Sequence, residues 1–172
     1  MKQILVFGVM LFFHGCLNSQ SVPFESYKTF EVPTELLEGK IDLIDSTQIE
    51  LKDFSAGPLL LVFASETCSI CREETIAFKA EFEKFENLKV ITLIVGSIKE
   101  DAEDWSSADN WEDESAVPWS VGFEFEPHLF SKYCPNSSAP CSLLQLPKQG
   151  VVLKRIGKLE PAEVLEVLSE QN

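Results

Sequence analysis

Basic side chains are scarce in this chain, with 14 Lys and Arg against 28 Asp and Glu and a formal net charge of −14. Such a surface repels phosphate backbones and anionic headgroups at a distance, which excludes electrostatic binding of nucleic acid. Histidine and methionine are scarcer still, two of each. Neither His14 nor His128 adjoins a cysteine, so a zinc site or a soft-metal site has few ligands to draw on, and no metal or other cofactor is expected. Internal repeats and low-complexity tracts are absent. So is any apolar run long enough to span a bilayer comfortably. A chain of 172 residues needs no second domain, and it can bury one core unaided. Its acid is spread along the sequence with a local excess at Glu100 to Glu114, which reads as a solvated face.

What is present begins with MKQILVFGVMLFFHGC, in which Lys2 precedes an apolar run from Ile4 to Phe13. That length suits the apolar region of a signal peptide. Gly15 directly before Cys16 resembles the lipobox of bacterial lipoproteins, although Phe13 and His14 depart from the usual leucine and small residue. The resemblance implies that signal removal leaves Cys16 lipid-modified as the new N-terminus. Residues 1–21 therefore read as a lipoprotein signal peptide and tether, and residues 22–172 as the folded domain. The expected address is the periplasmic side of a bacterial cell envelope, anchored to a membrane by lipid. Setting Cys16 aside from the five cysteines leaves Cys68, Cys71, Cys134 and Cys141. That even number is compatible with disulfides in an oxidising compartment but does not assign their partners.

Hydrophobic periodicity outlines the domain. Lys40 to Phe54 alternates Ile41 and Leu43 with Asp42, then Ile49 and Leu51 with Glu50 and Lys52, as two short strands about a turn at Asp45 to Gln48 would. Pro58 opens LLLVFAS, a continuous apolar run that needs both faces covered. Past Cys71 the period turns helical, with Phe78, Phe82 and Phe85 on one stripe. Lys89 to Val95 reads as a second buried strand, and strand, helix, strand is the unit that builds a parallel pair. A helix is expected around Trp105, Ala108 and Trp111, a strand from Trp119 to Phe125 and a short helix from Pro127 to Tyr133. After the loop CPNSSAP comes a hairpin of Ser142 to Leu146 and Val151 to Ile156. A last helix begins near Pro161 and buries Val164, Leu165 and Leu168.

The chemistry lies where the buried strand gives way to the helix, at Cys68-Ser69-Ile70-Cys71. That placement puts Cys68 at a helix N-terminus, whose unpaired N–H groups and positive dipole end favour a thiolate. Cys71, one turn on, is in reach to resolve a mixed disulfide. Half of a zinc site and a purely structural bridge are the bland alternatives. Cys134 and Cys141 lack zinc-ligand spacing, and a structural bridge has little reason to sit at a strand–helix junction.

FASETCSICREETIAFKAEFEKF resembles the active-site strand and helix of the thioredoxin superfamily, in particular the TlpA/ResA-like envelope oxidoreductases with their approximate motif FWATWCPPCRAEMP. Downstream, APCSLLQLPKQGVVLKRIG is similar to that family's PTTFLIDKDGKIVKRIVG. The likeness covers roughly residues 40–170. It implies an α/β thioredoxin-like fold, a central mixed sheet flanked by helices, here with an N-terminal β-hairpin extension. It implies Cys68 as nucleophile and Cys71 as resolving thiol. Pro140 would be a cis-proline facing them, with Ala139 presenting backbone to a substrate and Thr67 flanking the nucleophile. Glu74 matches the glutamate of the family's CRxE segment, which would assist thiol proton transfer if buried. Its alternative is an ordinary exposed acid early in a helix. Cytosolic thioredoxins carry an acid on the preceding strand, at the position that Val62 holds here.

Departures bear on the direction of electron flow. Thr67 replaces a tryptophan, Ser69-Ile70 replaces a proline-containing dipeptide, and Ile76 replaces a helix-kinking proline. The activity implied is disulfide exchange with protein dithiols and disulfides, as a reductant served by a membrane electron donor. An oxidant or isomerase, and a thiol-based copper-binding module, are the alternatives. Cys141 directly follows Pro140 where the family usually has threonine, so it is expected near Cys68 and Cys71. Cys134 and Cys141 then form either a structural bridge closing the PNSSAP loop or a second exchanging pair.

Overall fold

Leu59–Ala64 (β3) is buried at every position, as a strand covered on both faces must be. In the computed structural model, which describes residues 35–44, 46–96, 117–124 and 128–170, it lies near the centre of a seven-stranded mixed sheet. One neighbour is β4 (Lys89–Val95), paired parallel with Leu61 opposite Ile91 and Phe63 opposite Leu93. The other is β6 (Cys141–Leu146), paired antiparallel with Phe63 opposite Cys141 and Val62 opposite Ser142. β7 (Gly150–Ile156) closes one side as the return of a hairpin, and β5 (Ser120–Glu124) extends the other, parallel to β4.

The N-terminal hairpin of β1 (Lys40–Leu43) and β2 (Gln48–Glu50) joins the sheet through β5, giving the order β2-β1-β5-β4-β3-β6-β7. Gly122 is what lets β1 come this close. A Cβ there would stand 2.7 Å from the Asp42 carbonyl oxygen and 2.9 Å from Ile41 Cγ2. The second strand is shorter than its alternation implied, because Leu51–Phe54 winds into a 3-10 turn. That turn drives Leu51 fully into the core, where a continued strand would have left it on an edge.

Strand parity divides the core. Leu59, Leu61, Phe63, Ile91, Leu93 and Leu143 face one side, under Leu37 and the short helix α2 (His128–Tyr133) with its Leu129 and Tyr133. Leu60, Val62, Val90 and Leu144 face the other, under Phe78 of α1 (Ser69–Glu81) and Val164 of α3 (Pro161–Ser169). Of the last helix Pro161 and Val164 are buried, whereas Leu165 and Leu168 pack half-exposed at its margin. The phenylalanine stripe also bends away from an ideal helix. α1 ends at Glu81, and a 3-10 turn over Phe82–Lys84 brings Phe85 back to stack on Phe78 at 5.5 Å while Phe82 tilts against Trp119.

The architecture is the thioredoxin-like α/β fold expected, with its added hairpin. Residues 1–34, holding the expected signal, tether and Cys16, and residues 97–116, holding the expected helix with Trp105, Ala108 and Trp111, lie outside the described residues. Among the described residues no helix is long and apolar enough to cross a membrane.

Candidate functional site

β3 ends at Ala64, and the chain turns through Ser65, Glu66 and Thr67 before α1 begins. The Cys68 N–H donates to the Ser65 carbonyl at 3.0 Å, which closes that turn and delivers Cys68 to the N-cap position. Its backbone is extended (φ −85°, ψ 103°), and its Sγ accepts the Cys71 N–H at 3.1 Å. A sulfur thus occupies the place that a serine or aspartate oxygen takes in ordinary helix caps. A thiolate formed there would meet an orphan donor and the positive end of the helix.

Cys68 and Cys71 are joined in a disulfide, with Cα atoms 5.3 Å apart. Exposure separates the two. Cys68 is half-buried between exposed Thr67 and Ser69, whereas Cys71 is 1% exposed among Ala64, Ile94 and Val121. Ile70, between them, is 48% exposed and places an apolar side chain at the rim.

The Ala139–Pro140 bond is cis, and the Ala139 carbonyl oxygen lies 3.8 Å from Cys68 Sγ. Pro140 is buried, and its own carbonyl accepts the Gly157 N–H at 2.9 Å. Two segments remote in sequence therefore meet at Cys68.

Glu74 is 2% exposed. It follows Cys71 by one helical turn on the buried face of α1. Its Oε1 accepts the Ser142 hydroxyl at 2.9 Å, and its Oε2 accepts the Leu159 N–H at 3.0 Å. Burial is the main influence and raises its pKa to about 7. The Leu159 and Ser142 donors pull the other way and keep the shift from growing, with smaller opposing effects from Glu160 and Lys158. Ser142 stands directly opposite Val62 on the neighbouring strand. The carboxyl group consequently reaches the same face of the sheet as Val62, although it comes from the helix.

Cys134 and Cys141 are also bridged, with Cα atoms 6.6 Å apart. The two pairs nevertheless lie in different side-chain clusters. Cys141 is paired with Phe63, and directly opposed residues point to one face. Its side chain lies in the cluster of Phe63, Leu143 and Tyr133, while Cys71 lies beyond the sheet with Ala64 and Ile94. Ala139 touches the first pair, and two residues later the pleat turns Cys141 away.

Several residues of the site escape sequence reasoning. Ser142 and the Leu159 N–H hold Glu74 across 68 and 85 positions, and no local pattern carries such a pairing. Glu124 accepts the N–H groups of Leu129, at very short range, and of Phe130, at 3.1 Å, and so caps α2. Burial raises its pKa against those two donors and His128. Tyr133 fastens the same helix to the N-terminal segment, its hydroxyl accepting the Glu38 N–H at 2.7 Å and donating to the Glu38 carbonyl at 2.9 Å. Among the described residues no group of three or more His, Cys, Asp or Glu side chains is placed to hold a metal ion.

Residues 25–152 match the AhpC/TSA family. No curated protein sequence matches the chain. Solved structures do share its fold. A secreted disulfide oxidoreductase of Mycobacterium tuberculosis, homologous to the Escherichia coli protein DsbE, superposes with a TM-score of 0.64 at 7% identity, over 77% of this chain and 96% of its own. StoA of Bacillus subtilis does so with 0.60 at 15% identity, over 78% and 98%. The thioredoxin domain of a thiol-disulfide oxidoreductase from Bacteroides vulgatus gives 0.62 at 15% identity, over 80% and 95%.

Proposed function

The chain belongs to the AhpC/TSA family, and we propose that it is a thioredoxin-like thiol-disulfide oxidoreductase that reduces disulfides of proteins through Cys68 and Cys71, outside the cytoplasm. The observation that carries this reading is the cysteine sulfur at the cap of α1, bonded to its partner one turn on and close to the Ala139 backbone. In the reduced enzyme the Cys68 thiolate attacks one sulfur of a substrate disulfide. A mixed disulfide forms and the first substrate thiolate leaves. Cys71 then loses its proton, attacks Cys68 Sγ and releases the second substrate thiolate. The substrate has gained two electrons, and the Cys68–Cys71 disulfide remains for a membrane donor to reduce.

Glu74 would serve the resolving step, in which Cys71 gives up its proton, and would return that proton when exchange runs in reverse. With its pKa near 7, the carboxyl group can take up and return a proton at neutral pH. Ser142 and Leu159 hold it in place for that exchange.

The envelope location draws on the apolar run before Cys16, the even cysteine set and the secreted relative. Lipid attachment at Cys16 predicts palmitate labelling that disappears in Cys16→Ser.

The test of function is trapping. Cys71→Ser should accumulate substrates on Cys68 as mixed disulfides, and Cys68→Ser should abolish both trapping and turnover. Parent-like turnover in both variants would end the reading. A reduction potential near the roughly −270 mV of thioredoxin supports a reductant, and one near the roughly −120 mV of strong oxidants overturns the direction.

A further inference from the structure

The loop of residues 135–140 is held at both ends by one covalent link, Cys134 to Cys141. Its first anchor is immobilised independently. Cys134 directly follows α2, donating its N–H to the Phe130 carbonyl at 2.7 Å, and that helix is capped by Glu124, fastened to Glu38 by Tyr133 and packed edge-on to Phe63 through Phe130 at 5.5 Å. Its second anchor is Cys141, the first residue of β6. Between them the loop carries Ala139, whose carbonyl oxygen stands 3.8 Å from Cys68 Sγ. Any slack between these anchors is transmitted to Ala139.

An electron relay between the two pairs does not fit this arrangement. Cys134 and Cys141 are 1% and 0% exposed, on the Phe63 face of the sheet. A thiolate attacks a disulfide along the sulfur–sulfur axis, and the backbones of β3 and β6 stand between Cys71 and that axis.

We infer that the Cys134–Cys141 disulfide is a positioning clamp: it fixes the Ala139 backbone beside Cys68, so that an extended polypeptide around a substrate disulfide can be aligned there for attack. The inference rests on the reductase reading and adds its substrate class, disulfides set in extended chain rather than small free disulfides. A polypeptide docking along Ala139 needs that backbone held to within about an ångström, and misplacement on that scale costs up to about a hundredfold. A small disulfide needs only Cys68.

The experiment compares two substrates on enzyme whose Cys68–Cys71 pair alone has been reduced, confirmed by thiol mapping. Insulin represents a disulfide in polypeptide and glutathione disulfide a small one. In the Cys134→Ala/Cys141→Ala variant the KM for insulin should rise about tenfold or more, while kcat and the rate with glutathione disulfide stay within about twofold. A second variant, with two glycines inserted between Ser137 and Ser138, keeps the bridge and its stability but slackens the loop, and it should show the same rise. Unchanged insulin kinetics in the glycine variant overturn the inference, as does an equal fall with both substrates. A parent enzyme that reduces neither substrate overturns the reductase reading itself, and the clamp with it.

Discussion

The two faces of the sheet hold two disulfides with the same bond and opposite surroundings. Cys68–Cys71 sits at the tip of a helix, one sulfur half-exposed beside backbone donors. Cys134–Cys141 sits among Phe63, Leu143 and Tyr133, with neither cysteine more than 1% exposed. Reactivity belongs to the first because attack requires a thiolate and an open approach, and both are properties of place. The buried acids repeat the contrast. Glu74 beside Cys71 is tied to one hydroxyl and one backbone N–H gathered from two distant segments, while Glu124 on the opposite face accepts two successive N–H groups at the start of α2.

The largest expected difference is in reduction of the native protein. Under a mild thiol reductant, the Cys68–Cys71 bridge should open and Cys68 be alkylated at least about a thousandfold faster than Cys134 and Cys141, since the buried bridge waits on an opening that costs several kcal/mol. Mass-spectrometric thiol mapping over time reads this, and parallel release of all four thiols would erase the distinction.

Next in size is the pH dependence of stability. Glu74 has a folded pKa near 7 against an ordinary value of 4.5, so it holds more protons folded than unfolded across that interval. Its favourable state is complete below pH 4.5 and is lost as pH rises through about 7, a change of roughly 3 kcal/mol. Glu74→Gln should flatten the urea-unfolding profile over that window. An amide can still accept from Leu159 and donate to Ser142, so the fold persists. Glu124→Gln should flatten the profile in the same sense but less, because two helix N–H groups favour its charged form. An equal effect from the two variants would remove the contrast between the acids.

The smallest is the bridge itself. Opening Cys134–Cys141, with a sequence separation of 7, releases a short loop, and the Cys134→Ala/Cys141→Ala variant should lose roughly 2–3 kcal/mol in urea unfolding. A loss much smaller than this would mean that α2 is held by Glu124 and Tyr133 alone.

Much of this was legible in order along the chain. The apolar run at Leu59–Ala64, the cysteine pair at the strand–helix junction and the spacing from Cys71 to Glu74 are local patterns, written by side-chain alternation and helix periodicity. The burial of Glu74 was open on sequence grounds, since an acid early in a helix is equally at home in solvent. The direction of the Cys141 side chain was open for a related reason: nearness along the chain to Pro140 says nothing about which way the pleat turns the next side chain.

The sequence alone determined which residues could do the chemistry and which segments form the layers, because periodicity and cap position are properties of consecutive residues. Only the tertiary structure decided which of those residues share a face. The register of β3 on β6 sends Ser142 toward Glu74 and Cys141 away from it. A shift of one residue in that pairing would exchange the two, since the side-chain period of a strand is two.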